Sequence, residues 1–168
     1  EDQEGVDILR KWGSVEHEMA REFEEKGLKG VGIKLIPRRF YDPALTRYCR
    51  HELLHISDML DPVFGYDPDT KVGQNPGEET LILHRYRILW SLTVDSRLTV
   101  AGKEPMLRKE DRFKEFRSWY RKIPAPQLKS VFEGLWQTSF FTHSELIEMA
   151  SDTLRVMDRA VDVEGGEV

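Results

Sequence analysis

The chain has very little cysteine, and this absence limits how it can be stabilised. Cys49 is the only cysteine among the 168 residues, so no disulfide can form within the chain. A fold of this length must therefore depend on a packed core, which 39% apolar residues are enough to build. Low cysteine content is also typical of a reducing compartment, and we expect a cytoplasmic protein.

Long apolar runs and an excess of positive charge are also missing. No stretch of eighteen apolar residues occurs, so we expect no segment that spans a membrane. The formal net charge is −5, with acidic and basic residues interleaved. Nucleic-acid binding as the main role is therefore not expected, because it needs a concentrated basic surface.

The apolar periodicity predicts an α+β fold that is dominated by helices, in a single domain over residues 1–168. Residues 1–27 carry an N-terminal helix from about Val6 to Lys26. Residues 28–102 carry a strand at Val31 to Ile36, a helix that stops before Pro62 and a second long helix from Glu78 to about Val100. Residues 103–163 carry the C-terminal helices. The last of these follows a capping-box pattern at Thr142 and Glu145, with an expected inner side formed by Leu146, Ala150, Leu154, Met157 and Val161.

The sequence His51-Glu52-Leu53-Leu54-His55 carries the most specific chemistry in the chain. It reads H-E-x-x-H, and helical positions four apart lie about 40° apart on the same face. Two imidazoles placed in this way can bind one zinc ion, and the glutamate beside them can take a proton from a water molecule on the metal. We therefore predict that His51 and His55 are zinc ligands and that Glu52 is the general base.

A catalytic zinc usually has three protein ligands, and several residues are candidates for the third. Asp95 lies deep in the second long helix on an apolar stripe, where a carboxylate is costly unless it is paired or bound to a metal. We choose Asp95, with His84 on the same face as a further candidate. An ion pair with Arg97, or with an arginine of another helix, would explain Asp95 equally well. Asp61 stands six residues after His55, and two acidic residues in the first turn of the second helix, Glu78 and Glu79, complete the set.

The chain resembles the zincin metallopeptidases, and in particular the gluzincin-like ones. The resemblance extends over roughly His51 to Leu98 and depends on H-E-x-x-H together with the segment Trp90 to Leu98, where an aromatic residue precedes an acidic one by five. It implies a small zincin-like domain, a Zn²⁺ cofactor and a peptide or protein substrate that is hydrolysed through a zinc-activated water. Tyr66, His84, Tyr86 and Arg87 are candidates for stabilising the oxyanion.

An interaction module is the alternative function. Helices rich in aromatic residues could present a partner surface on a zincin fold that has weak or no catalysis and a structural metal. The presence of Glu52 argues against this alternative, because a structural zinc needs no general base. Neither the substrate nor the oligomeric state follows from the sequence.

Overall fold

The computed structural model describes residues 37–138 and 140–164. The chain divides into two compact units, Glu1–Thr46 and Arg47–Val168. The predicted N-terminal helix (Val6 to Lys26) and the predicted strand (Val31 to Ile36) lie outside the described residues. The prediction of one domain over residues 1–168 stays a prediction.

The described part of the chain is helical, as predicted, and it contains no strand. The α+β class therefore stays a prediction, because its β element falls outside the described residues. In the first unit a 3-10 helix spans Pro37–Tyr41. Six α-helices follow: α1 (Leu45–Leu60), α2 (Pro76–Val100), α3 (Lys109–Trp119), α4 (Ala125–Gln137), α5 (His143–Ser151) and α6 (Thr153–Glu164).

The longest helix, α2, is the central element of the second unit. It begins where the Asn75 side chain accepts a hydrogen bond from the Glu78 amide at 3.0 Å, with Pro76 in its first turn. It ends before Gly102, whose φ of +67° suits a residue without a Cβ. Between these ends α2 packs against α3, α4 and α5 and is buried on several faces. It can therefore place polar side chains in the interior.

The core surrounds α2. Its most deeply buried apolar side chains come mainly from α2 and from the segments that follow it, together with Phe64 of the loop before α2: Leu89, Leu92, Val94, Phe116, Tyr120, Phe132, Leu135, Leu146, Met149 and Val156. None of the described helices combines the length and the apolar character that crossing a membrane requires.

The C-terminal helical segment differs from the prediction, because it forms two helices that meet at Asp152. The capping box at Thr142 and Glu145 is confirmed as the start of α5. At Asp152 the backbone is extended (φ −128°, ψ 118°), and its carboxylate accepts a hydrogen bond from the Leu154 amide at 2.9 Å. The Asp side chain thus starts a new helix and changes which residues face inward. Leu154, expected inside, is 65% exposed, while Val156 is fully buried.

The interruption of the helix at Asp152 can be tested by shortening two side chains of α6. Val156→Ala should lower the free energy of unfolding by roughly 1–2.5 kcal/mol, because it removes buried methyl groups. Leu154→Ala should change it by less than about 0.5 kcal/mol, as is usual at an exposed position. Urea unfolding followed by circular dichroism measures both. A larger loss in Leu154→Ala than in Val156→Ala would mean that one continuous helix buries Leu154.

Candidate metal site

The three motif residues lie in the middle of α1, where the helix faces the interior of the second unit. His51 and His55 are buried, and Glu52 between them is half-buried. The two histidine rings meet edge to face, with centroids 4.7 Å apart. Their Nε2 atoms lie 3.1 Å from each other. The helical spacing thus brings together the same atom of both imidazoles.

Asp95 reaches the histidines from α2 and contacts the other nitrogen of His51. Its Oδ1 lies 3.0 Å from His51 Nδ1. The same carboxylate accepts hydrogen bonds from the amides of Met106 and Leu107, at 2.9 and 3.2 Å. Arg112 donates to it from Nε at 3.0 Å and from Nη2. Asp95 is completely buried, and both of its oxygens already have partners.

The buried ion pair that the sequence offered as the other explanation of Asp95 is present. Its cation is Arg112 of α3, whereas Arg97 pairs with Asp58. Arg112 was missed by the sequence reasoning. A signal for it exists, since Arg112 is four residues before the buried Phe116 and thus lies on the apolar stripe of α3. A cation on such a stripe requires an anionic partner.

The environment of Asp95 determines which ring nitrogen of His51 carries the proton. Burial alone would raise the pKa of Asp95, but the hydrogen bond with His51 and the charge of Arg112 outweigh it and lower the pKa. An ionised carboxylate only accepts hydrogen bonds, so the proton of a neutral His51 sits on Nδ1. The lone pair of His51 is then on Nε2, the atom that faces His55.

His55 is held in its neutral form. Burial, followed by the positive charges of His51 and Arg97, lowers its pKa well below the ordinary value of 6.5. Its Nδ1 is buried and has no hydrogen-bond partner in the part of the chain that the structure describes. The neutral imidazole of His55 therefore faces Nε2 of His51, and only His51 has its other nitrogen hydrogen-bonded.

Glu52 lies in an environment that makes its carboxylate more basic than usual. Burial raises its pKa above the ordinary value, and the nearby His51 lowers it only in part. A carboxylate in this state is a stronger base than one in water. Its partial exposure leaves it within reach of a solvent molecule.

The other candidate ligands have local roles. Asp61 accepts a hydrogen bond from the Val63 amide at 2.8 Å in the turn after α1. Glu78 accepts one from the Gln74 amide at 2.7 Å at the start of α2, and Glu79 is exposed there. His84 is exposed and stacks on Trp119, so it does not share the buried side of α2 with Asp95. Among the described residues, no three His, Cys, Asp or Glu side chains form a metal-binding group.

Of the four residues predicted as candidates for stabilising the oxyanion, two are buried or half-buried and two are exposed. Tyr86 is buried, and its hydroxyl lies 2.8 Å from Nδ1 of His143. Tyr66 is half-buried and contacts the rings of Trp90 and His143. His84 and Arg87 are exposed on α2. The assignment of any of them to an oxyanion stays a prediction.

Comparison of the chain with models of protein families, with curated proteins and with solved structures finds no match. The zincin resemblance therefore depends on the motif residues themselves.

The contribution of the ion pair between Asp95 and Arg112 to the stability of the fold can be tested by mutation. Arg112→Met should lower the free energy of unfolding by about 3 kcal/mol, because it leaves a buried carboxylate without its cation. Lys114→Met, in the exposed pair with Asp111 on the same helix, should leave the unfolding midpoint unchanged. Urea denaturation measures both variants. An Arg112→Met protein as stable as Lys114→Met would contradict the role given to the buried pair.

Proposed function

We propose that the chain is a zinc-dependent metallopeptidase in which His51 and His55 bind the metal and Glu52 is the general base. The observation that carries the proposal is the 3.1 Å separation of the two Nε2 atoms, in imidazoles that are both buried. The zincin-like fold that the motif implies is part of this proposal.

The histidine pair suits a shared zinc ion. At zinc–nitrogen distances of about 2.0–2.1 Å and a tetrahedral angle, two ligand nitrogens lie roughly 3.3 Å apart. The observed separation is 3.1 Å. A shared cation would use the Nε2 lone pair of each ring and so account for the close approach of the two atoms.

We assign Asp95 to the orientation of His51 instead of to the metal itself. Metal-ligating histidines usually donate their other N–H to a carboxylate, which fixes the ring and makes it a better ligand. Asp95 has this position on Nδ1, and its oxygens are engaged by Arg112 and by two backbone amides. In this assignment the third protein ligand is a residue other than Asp95.

Glu52 has the reactive role in the proposed mechanism. Zinc, when bound, makes a water molecule acidic near neutral pH and polarises the carbonyl group of the peptide bond. Glu52 accepts the proton of the attacking water and passes it to the leaving amine, which departs neutral as the peptide bond breaks. Its raised pKa suits both steps, because it favours uptake of the proton without preventing its release.

The metal ligands can be tested by elemental analysis of purified protein after dialysis against zinc. We expect about one zinc per chain in the wild type and in His84→Ala, because His84 is exposed and stacked on Trp119. His55→Ala should contain little or no zinc. Equal zinc in the two variants would remove His55 from the site, and no zinc in the wild type would overturn the proposal.

The general base can be tested on zinc-loaded protein with labelled casein as a general substrate. Glu52→Gln should keep its zinc and lose about 10²- to 10⁴-fold in kcat, because the amide cannot accept the proton. Glu79→Gln, at an exposed position on α2, is the matched control and should keep wild-type activity.

Full activity in Glu52→Gln would show that this carboxylate is not the base. Zinc binding without any hydrolysis by the wild type, over a panel of unfolded proteins and peptides, would instead favour the interaction module with a structural metal.

A further inference from the structure

The two histidines of the motif are held in different ways. His51 has a hydrogen-bond partner for Nδ1 in Asp95, which fixes the rotation of its ring. His55 has no such partner among the described residues, although it is buried to a similar extent. Some other contact must therefore fix the ring of His55.

Trp90 of α2 makes that contact. Its ring meets the ring of His55 edge to face, with centroids 4.3 Å apart and an interplanar angle of 82°. Trp90 is itself buried and also stacks against Phe64, with centroids 5.0 Å apart. A ring enclosed in this way restricts the rotation of the imidazole beside it.

The orientation of Trp90 is in turn fixed by a buried carboxylate on α1. The indole N–H donates to Oδ2 of Asp58 at 2.7 Å. Arg97 binds the same carboxylate through two hydrogen bonds, at 2.8 and 2.6 Å. Asp58 is 5% exposed and stands three residues after His55, close to one helical turn away. The carboxylate thus links α1, which carries the histidine, to α2, which carries the tryptophan.

We propose that Trp90, oriented by Asp58 and Arg97, is the positioning residue for His55, as Asp95 is for His51. The inference depends on the proposed metal site and deepens it. The two carboxylates connect the same pair of helices in opposite directions, since Asp95 extends from α2 to α1 and Asp58 from α1 to α2. One histidine is fixed by a hydrogen bond and the other by a packed aromatic ring.

The test uses full-length protein and cobalt(II), which replaces zinc and gives visible absorption bands that depend on ligand geometry. Trp90→Phe keeps an aromatic ring but removes the N–H that binds Asp58. Asp58→Asn keeps the size of the side chain but loses the ion pair with Arg97. Trp119→Phe is the matched control, because Trp119 stacks on the exposed His84 and has no contact with Asp58 or His55 in the structure.

We expect Trp90→Phe and Asp58→Asn each to shift the cobalt bands and to weaken zinc binding by about 10-fold in competition with a chelator, the lower end of the usual effect of outer partners. Trp119→Phe should match the wild type in both measurements. Circular dichroism identifies the temperature range in which each variant is folded, and the bands are compared within it. A purely structural role would lower the unfolding temperature and leave the bands of the folded protein unchanged.

The outcomes separate the two proposals. If the wild type binds cobalt and zinc but Trp90→Phe and Asp58→Asn match Trp119→Phe, the positioning role is wrong and the metal site stands. If the wild type binds neither metal, the metal site itself is wrong and the positioning role is wrong with it.

Discussion

The candidate site depends on a carboxylate buried at the centre of the fold. Asp95 is completely buried on α2, where an isolated negative charge would be strongly destabilising. It is tolerated because Arg112, the amides of Met106 and Leu107, and His51 all provide hydrogen bonds to it. The same contacts join α1, α3 and the segment between α2 and α3 around one charge. The orientation of the His51 ring then follows from the fold.

Charge and packing act together on the two imidazoles. The ionised Asp95 binds Nδ1 of His51, and burial keeps His55 neutral. The Nε2 atoms of the two rings lie 3.1 Å apart. Because the core already restricts both rings, a metal bound at the proposed site would not have to order them at a cost in conformational entropy. Glu52 is half-exposed, unlike His51 and His55, which suits the proton exchange with solvent that the proposed role requires.

The sequence predicted the parts that depend on local pattern. The extents of α1 and α2, the capping box at Thr142 and the special position of Asp95 all follow from periodicity and from side chains that bond to nearby backbone. The partners of Asp95 could not be predicted, because Arg112 meets it only after α3 has packed against α2. The start of a second helix at Asp152 was missed because the apolar spacing continues past it, while the cap itself involves one hydrogen bond.

The most direct test of this account is a zinc-edge anomalous difference map from crystals grown with zinc. The account predicts one strong peak within bonding distance of Nε2 of both His51 and His55, with Asp95 still hydrogen-bonded to Nδ1 of His51. The peak would also identify the third ligand. A peak elsewhere in the molecule would contradict the assignment of the two histidines as metal ligands. An oxygen of Asp95 bound to the metal would contradict the role of Asp95 in orienting His51.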